Sequence, residues 1–288
     1  MSTIAPEKTA APRAAGGGKA ATFLTALRTG LALVLRPSRG GKPRFSASIT
    51  PGRIVVGIVV VALVALWQMI LIDAWTIKAV LHLPRPLITV FDWITDFGRS
   101  GWFLWPLGIA LLVLAAAVTR PLTPLSQRVL AALAVRLEFL FAAIAVPGLF
   151  VTIVKRLIGR ARPFVGGEAN PFLFHPFVWR ADYASMPSGH VTTAFAIAIA
   201  FTAVWPRTRI VVWTYAWLIA ASRIIVSAHH PSDVVVAAVA GVFGAFIVRD
   251  FFAVRGRVFA IGDDGRVGTM PGPSAARLKR VARAVLGQ

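Results

Sequence analysis

Residues 54–72 read IVVGIVVVALVALWQMILI, a run with no charged side chain. A helix needs roughly 20 apolar residues to cross the hydrocarbon core of a bilayer, so this run predicts a spanning helix. Asp73 ends it, and Trp75 suits the boundary between lipid and water. The rest of the chain has the same character: 57% of its 288 residues are hydrophobic and the mean hydropathy is +0.74. Only 15% are charged, against roughly 25% in a soluble domain. The chain reads as a membrane protein. It contains no cysteine, which excludes disulfides, a thiolate nucleophile and a cysteine-ligated metal.

Five further apolar runs follow, at 103–118, within 129–154, and at 188–205, 210–226 and 234–248. The expected architecture is all-α, an integral membrane six-transmembrane helical bundle. Residues 87–97 predict a helix at the membrane surface, as do 23–35, which are too short to span. The first 20 residues lack the apolar core of a signal peptide, so the first span is expected to act as the targeting signal. Domain organisation is expected as a disordered basic tail over 1–53, a membrane domain over 54–250 with its catalytic core at 150–248, and a basic tail over 251–288.

The formal net charge is +20, and its placement decides what it means. Residues 1–53 hold 9 Lys and Arg and residues 249–288 hold 8, whereas the loop 155–187 holds 5 and 73–102 holds 3. Positive charge marks the cytoplasmic side. Both termini are therefore expected inside a bacterial inner membrane, with 155–187 and 223–232 on the periplasmic face. The charge is a topology signal with some attraction to anionic lipids, and nucleic acid is not an expected partner.

Three clusters reach that outer face. Lys155 and Arg162-Pro163 follow the third span. Pro187-Ser188-Gly189-His190 opens the fourth, where Pro187 can start the helix and free backbone N–H groups favour an anion. Ser222-Arg223, His229 and Asp233 run from the fifth span into the sixth. Cations so close repel one another unless an anion lies among them, and a phosphate suits both the Arg fork and the Lys point charge. If one helix carries His229 and Asp233, their spacing puts them on one face. The carboxylate then orients the imidazole as a nucleophile, and His190 can protonate the leaving oxygen. Lys155, Arg162 and Arg223 would stabilise charge on the transferred phosphoryl group.

His230, about 100° around such a helix, is expected to point elsewhere. Arg156 is expected to meet lipid headgroups, and Arg136 and Glu138 to sit near the interface or against neighbouring helices. His175, Arg180 and Asp182 are candidates for headgroup contact. No His pair has metal-motif spacing beside a further ligand, so no metal or other cofactor is expected.

In order and spacing, Lys155…Arg162-Pro163, Pro187-Ser188-Gly189-His190 and Ser222-Arg223…His229…Asp233 resemble the three-part signature of the type 2 phosphatidic acid phosphatase (PAP2) family. That family shares its site with vanadium haloperoxidases. The resemblance covers 155–233 and implies a PAP2/haloperoxidase-like helical core, metal-independent phosphate ester hydrolysis and a phosphohistidine intermediate. It implies phosphate binding by Lys155, Arg162, Ser188, Gly189 and Arg223, and catalysis by His190, His229 and Asp233. The expected substrate is a lipid phosphate such as phosphatidic acid, phosphatidylglycerol phosphate, isoprenyl diphosphate or a lipid A phosphate. The alternative is a phosphate-binding transporter or binding module without hydrolysis, against which stands the lack of an inverted repeat or broken midplane helix. A haloperoxidase would need vanadate in the same cage.

Overall fold

The computed structural model describes residues 51–117 and 122–286, together with Leu24, Thr25 and Arg28. The surface helix expected over 23–35, and the tail before Pro51, otherwise lie outside the described residues. Helix α1 is Pro51–Leu71, α2 Asp73–Val80, α3 Arg85–Asp96 and α4 Gly101–Ala117. The long α5, Pro124–Ile158, precedes a loop to α6, Gly189–Val204, then α7, Arg209–Ile225, and α8, Pro231–Val254. Strands β1, Phe259–Ile261, and β2, Val267–Thr269, form an antiparallel hairpin before α9, Ala275–Leu286. The protein is mostly helical, and the hairpin is the departure from an all-α chain among the described residues.

Among the described residues, four segments are long and apolar enough to cross a membrane: Pro51–Leu71, Arg85–Ala117, Pro124–Ile158 and Pro231–Val254. Residues 97–100 break the second of these into α3 and α4, so a helix does cover most of 87–97, and it leads directly into a spanning segment. At 16 residues, α6 is about 24 Å long, less than the roughly 30 Å of the hydrocarbon core. It is enclosed by protein. Val191, Ala194, Ala196, Ala198 and Ala200 are buried on all its sides, as expected for a helix apolar all round. The outer surface of the bundle is apolar as well: Ile58, Leu149, Ile210 and Ile247 are all more than half exposed, which suits lipid.

Small side chains let α8 come close to α6. A Cβ on Gly241 would lie 2.4 Å from the carbonyl oxygen of Thr192, so this crossing requires glycine. Further along, Thr192 Oγ1 donates to Ala237 O at 3.2 Å. The opposite end of the bundle is closed by the tail. Phe259 packs edge-on against Phe139 with centroids 4.8 Å apart, and Thr269 Oγ1 donates to Ala203 O. Arg136 is mostly buried and donates to Met270 O at 2.8 Å. Its role is to hold the tail against α5.

Candidate active site

The end of α1, the C-termini of α5 and α7, and the N-termini of α6 and α8 meet at the other end. Gly159 closes α5 with a left-handed φ of 61°, a cap that glycine adopts freely. A Cβ there would overlap the carbonyl of His175. The loop from Gly159 to Pro187 is then pinned by backbone hydrogen bonds. Ala161 N donates to Leu173 O at 2.9 Å, Arg162 N to Asp182 O at 2.8 Å, and Ser185 N to Arg160 O at 3.0 Å. These bonds bring Arg162 and Ser185 to the helix ends.

Lys155, in the last turn of α5, reaches the start of α6: a Cβ on Gly189 would lie 3.9 Å from its Nζ. Arg223, buried at the end of α7, donates through Nη1 to Thr95 Oγ1 of α3 at 2.5 Å. Its Nε, the Nε of Arg162 and the hydroxyl of Ser188 are buried without a hydrogen-bond partner. Lys155, Arg162 and Arg223 form no salt bridge among the described residues. The flanking arginines differ. Arg156 donates to Arg180 O at 2.8 Å and lies over the Trp179 ring. Arg160 is fully buried between two carboxylates. His175 stacks edge-on against Tyr183, while Arg180 and Asp182 pair with each other at the surface.

Helix α6 starts at Gly189, not at Pro187, with Ser188 as its N-cap. The Ser188 side chain makes no cap hydrogen bond, and its own N–H donates to Asp233 O at 3.4 Å. The first N–H groups of a helix have no partner within it, so Gly189 and His190 present donors toward an anion. The His190 ring lies against the α3–α4 turn, where a Cβ on Gly98 would come within 2.9 Å of His190 Cδ2. Arg223, His229, Arg99 and Arg162 lie close enough to act on the charge of His190.

His229 lies in the loop before α8, and the helix begins at Pro231. It therefore does not share a helix face with Asp233, as its spacing suggested. Asp233, at the third helical position, reaches back over the helix end instead. Its Oδ2 accepts the His230 N–H at 2.9 Å and the Ser185 hydroxyl at 2.6 Å. His229 Nδ1 stands 3.8 Å from the same oxygen, and Ser185 Oγ is 3.5 Å from that Nδ1. Nδ1 is thus the anchored nitrogen, leaving Nε2 for another partner. His230 also departs from expectation: as the N-cap of α8 it is fully buried, and its Nδ1 is 3.5 Å from Asp233 Oδ2. Burial pushes the His229 imidazole down to about 4, with Arg223 and Arg162 adding to the effect and Asp233 opposing it. It is neutral near pH 7.

The structure adds Ser185, Thr95, Gly98, Asp73, Arg160 and Ser232 to the residues that the motifs single out. Asp73 carried a signal, since a carboxylate ending a spanning run is a functional candidate by default. The others become visible only when distant segments meet. Among the described residues, no three His, Cys, Asp or Glu side chains gather as a metal site.

The family model of the PAP2 superfamily matches residues 137–257. A lipid A 1-phosphatase of Rhizobium johnstonii is 32% identical over 200 residues, covering 69% of this chain and 79% of that protein. Another, of Rhizobium etli, is 31% identical over 183 residues, covering 63% and 78%. The crystal structure of Aquifex aeolicus LpxE, at 22% identity and a TM-score of 0.44, covers 61% of this chain and 93% of that one. That of a transmembrane PAP2-type phosphatidylglycerolphosphate phosphatase from Bacillus subtilis, at 18% and 0.45, covers 80% and 95%. The protein is an integral membrane phosphoric ester hydrolase. It belongs to the PAP2 superfamily.

Proposed function

We propose that this protein removes the glycosidic phosphate of a lipid A-type glycolipid at the periplasmic face of a bacterial inner membrane. The observation that carries this reading is one end of the bundle where Lys155, Arg162 and Arg223 lack carboxylate partners among the described residues. Two of these side chains, and Ser188, have buried polar atoms without a hydrogen-bond partner. A phosphate satisfies all three cations and the start of α6 together. The substrate class is supported by the two Rhizobium relatives. A site at the end of an apolar bundle suits a lipid with its tails in the bilayer and its phosphate at the surface.

In this reading His229 Nε2 attacks phosphorus and the bond from phosphorus to the sugar oxygen breaks. His190 donates its proton to that oxygen as it leaves. Asp233, with Ser185, stabilises the imidazolium formed at His229. Lys155, Arg162, Arg223 and the N–H groups of Gly189 and His190 hold the equatorial oxygens, where the transition-state charge lies. Water then attacks phosphorus and passes a proton to His190 as the nitrogen–phosphorus bond breaks, releasing inorganic phosphate. No metal ion or cofactor is used in these steps.

The topology completes the reading. Helix α1 runs toward the site and α8 away from it, so Pro51 and Val254 lie at the opposite end of the bundle. In this reading the short α6 and α7 also cross, making six spans, and the positive charge of both tails assigns them to the cytoplasm. The test is phosphate release by the purified protein in EDTA, against lipid A, phosphatidic acid, phosphatidylglycerol phosphate and an isoprenyl diphosphate. The expected result is loss of one phosphate from lipid A by mass spectrometry, with a phosphohistidine trapped by denaturing quench. Turnover of another lipid phosphate in preference would overturn the substrate, and a loss in EDTA reversed by a divalent ion would overturn the mechanism. A reporter fused after Gln288 should appear in the cytoplasm.

A further inference from the structure

We infer that Arg160 and Asp73 are positioning residues for the reaction, setting the orientation and the residual charge of the Asp233 carboxylate that serves His229. Asp73, Arg160, Ser232 and Asp233 are all fully buried. Arg160 donates to Asp233 Oδ1 through Nη1, to Asp73 Oδ2 through Nη2 at 2.7 Å, and to Pro171 O through Nε at 3.0 Å. Asp73 Oδ1 accepts the Ser232 N–H at 3.0 Å. Ser232 Oγ accepts from Arg160 Nη1 at 2.7 Å and donates to Asp73 Oδ2.

The geometry divides the Asp233 carboxylate into two roles. Arg160 takes Oδ1 alone, which turns Oδ2 toward Ser185, the His230 N–H and His229 Nδ1. The charges also matter, because one guanidinium faces two carboxylates. If Arg160 paired with Asp233 alone, it would neutralise it. Asp73 shares that guanidinium and so leaves negative charge on Asp233, where an imidazolium forms during phosphoryl transfer. A network that served only to tie α1 and α2 to α8 would not need its guanidinium on the carboxylate that faces His229.

This inference rests on the reading of His229 as the nucleophile. The charged and titratable groups facing His229 are Asp233 from the start of α8, Arg223 from α7, His190 from α6 and Arg162 from the loop. Arg160 and Asp73 act on it through Asp233.

The experiment measures kcat, KM and the pH dependence of kcat/KM for lipid phosphate hydrolysis by wild type, Arg160→Gln, Asp73→Asn and Ser232→Ala. All are compared per folded protein, with His229→Ala as a control. For Arg160→Gln and Asp73→Asn, kcat falls roughly tenfold or more, the scale on which orienting partners act at other sites, and KM is little changed. The acid limb moves in opposite directions. Arg160→Gln leaves more negative charge on Asp233, favours imidazolium and raises the limb, whereas Asp73→Asn gives Asp233 the whole guanidinium and lowers it. Wild-type kcat and acid limbs in the folded variants would overturn the inference, and so would a loss confined to KM. Should the first two variants not fold, Ser232→Ala decides alone, by a lowered kcat and a shifted limb or by neither. Failure of all three to fold assigns the network to stability and overturns the inference as well. An inactive wild type or a fully active His229→Ala instead defeats the reading of the site, independently of Arg160 and Asp73.

Discussion

Ser185 Oγ lies 2.6 Å from Asp233 Oδ2, a donated hydrogen bond that puts this hydroxyl at the edge of the His229–Asp233 pair. Because Oγ is also 3.5 Å from His229 Nδ1 while the carboxylate is 3.8 Å away, the serine bridges a gap that the two side chains do not close directly. Ser185→Ala removes a donor from a buried carboxylate and a partner from the imidazole. Losing a hydrogen bond to a charged group costs about 1.5–3 kcal/mol, so kcat should fall by roughly one to two orders of magnitude. Steady-state kinetics check this, and a Ser185→Ala enzyme with wild-type kcat would falsify the bridging role.

The depressed His229 pKa makes a prediction about acid. With its folded-state value at about 4 and an unperturbed value near 6.5, the unfolded chain binds more protons than the folded one between those limits. Stability therefore declines as pH falls from about 6.5 toward 4, and His229 contributes nothing above that window. The limb of kcat/KM set by His229 should lie near pH 4 and not near 6.5. Thermal unfolding in detergent at pH 7 and pH 4.5 tests the stability half. His229→Gln should show a smaller difference between the two pH values than wild type, and an equal difference would place the acid sensitivity elsewhere.

How much of this was legible in the sequence follows from the range of each interaction. Apolar runs mark the membrane helices because burial in lipid or protein acts on whole segments. The three motifs locate Lys155, Arg162, Ser188, Gly189, His190, Arg223, His229 and Asp233 at one end because each sits beside a helix terminus. Two local signals were available and point away from the simpler reading. Pro231 is suited to the first helical position, so His229 and His230 precede the helix, and Asp264-Gly265 is a hairpin turn sequence, with Gly265 at a φ of 75°. Arg160 has no such signal. Arg156, Arg160 and Arg162 look alike in sequence, and the middle one is distinguished by carboxylate partners 87 and 73 positions away, Asp73 and Asp233.

Arg223 and Thr95 yield a third prediction. The Thr95 hydroxyl accepts from Arg223 Nη1, leaving the rest of the fork for a phosphate. Thr95→Val keeps the shape and removes the acceptor, so Arg223 keeps its charge but loses its fixed aim. Deleting a donor that stabilises an oxyanion costs roughly 10²–10³ in kcat, and this indirect change should cost less than Arg223→Ala does. The check is the order of kcat values, wild type above Thr95→Val above Arg223→Ala. Equal activities of Thr95→Val and wild type would show that α3 does not aim the arginine.

The close crossing of α6 and α8 links packing to chemistry, because Gly241 sits on the helix that carries Asp233. A Cβ there would meet Thr192 O at 2.4 Å and the Ala196 backbone nitrogen at 3.2 Å. Both contacts are backbone, so the helices themselves must separate. Overpacking of this kind costs about 1–3 kcal/mol, and Gly241→Ala should lower the unfolding temperature in detergent. It should also lower kcat, since moving α8 from α6 loosens the Ser188 N–H to Asp233 O contact at 3.4 Å. Gly57→Ala on α1, with nothing within 4 Å of its Cβ, is the control and should change neither. If Gly241→Ala melts like wild type, the crossing tolerates a methyl group and does not hold the two halves of the site in register.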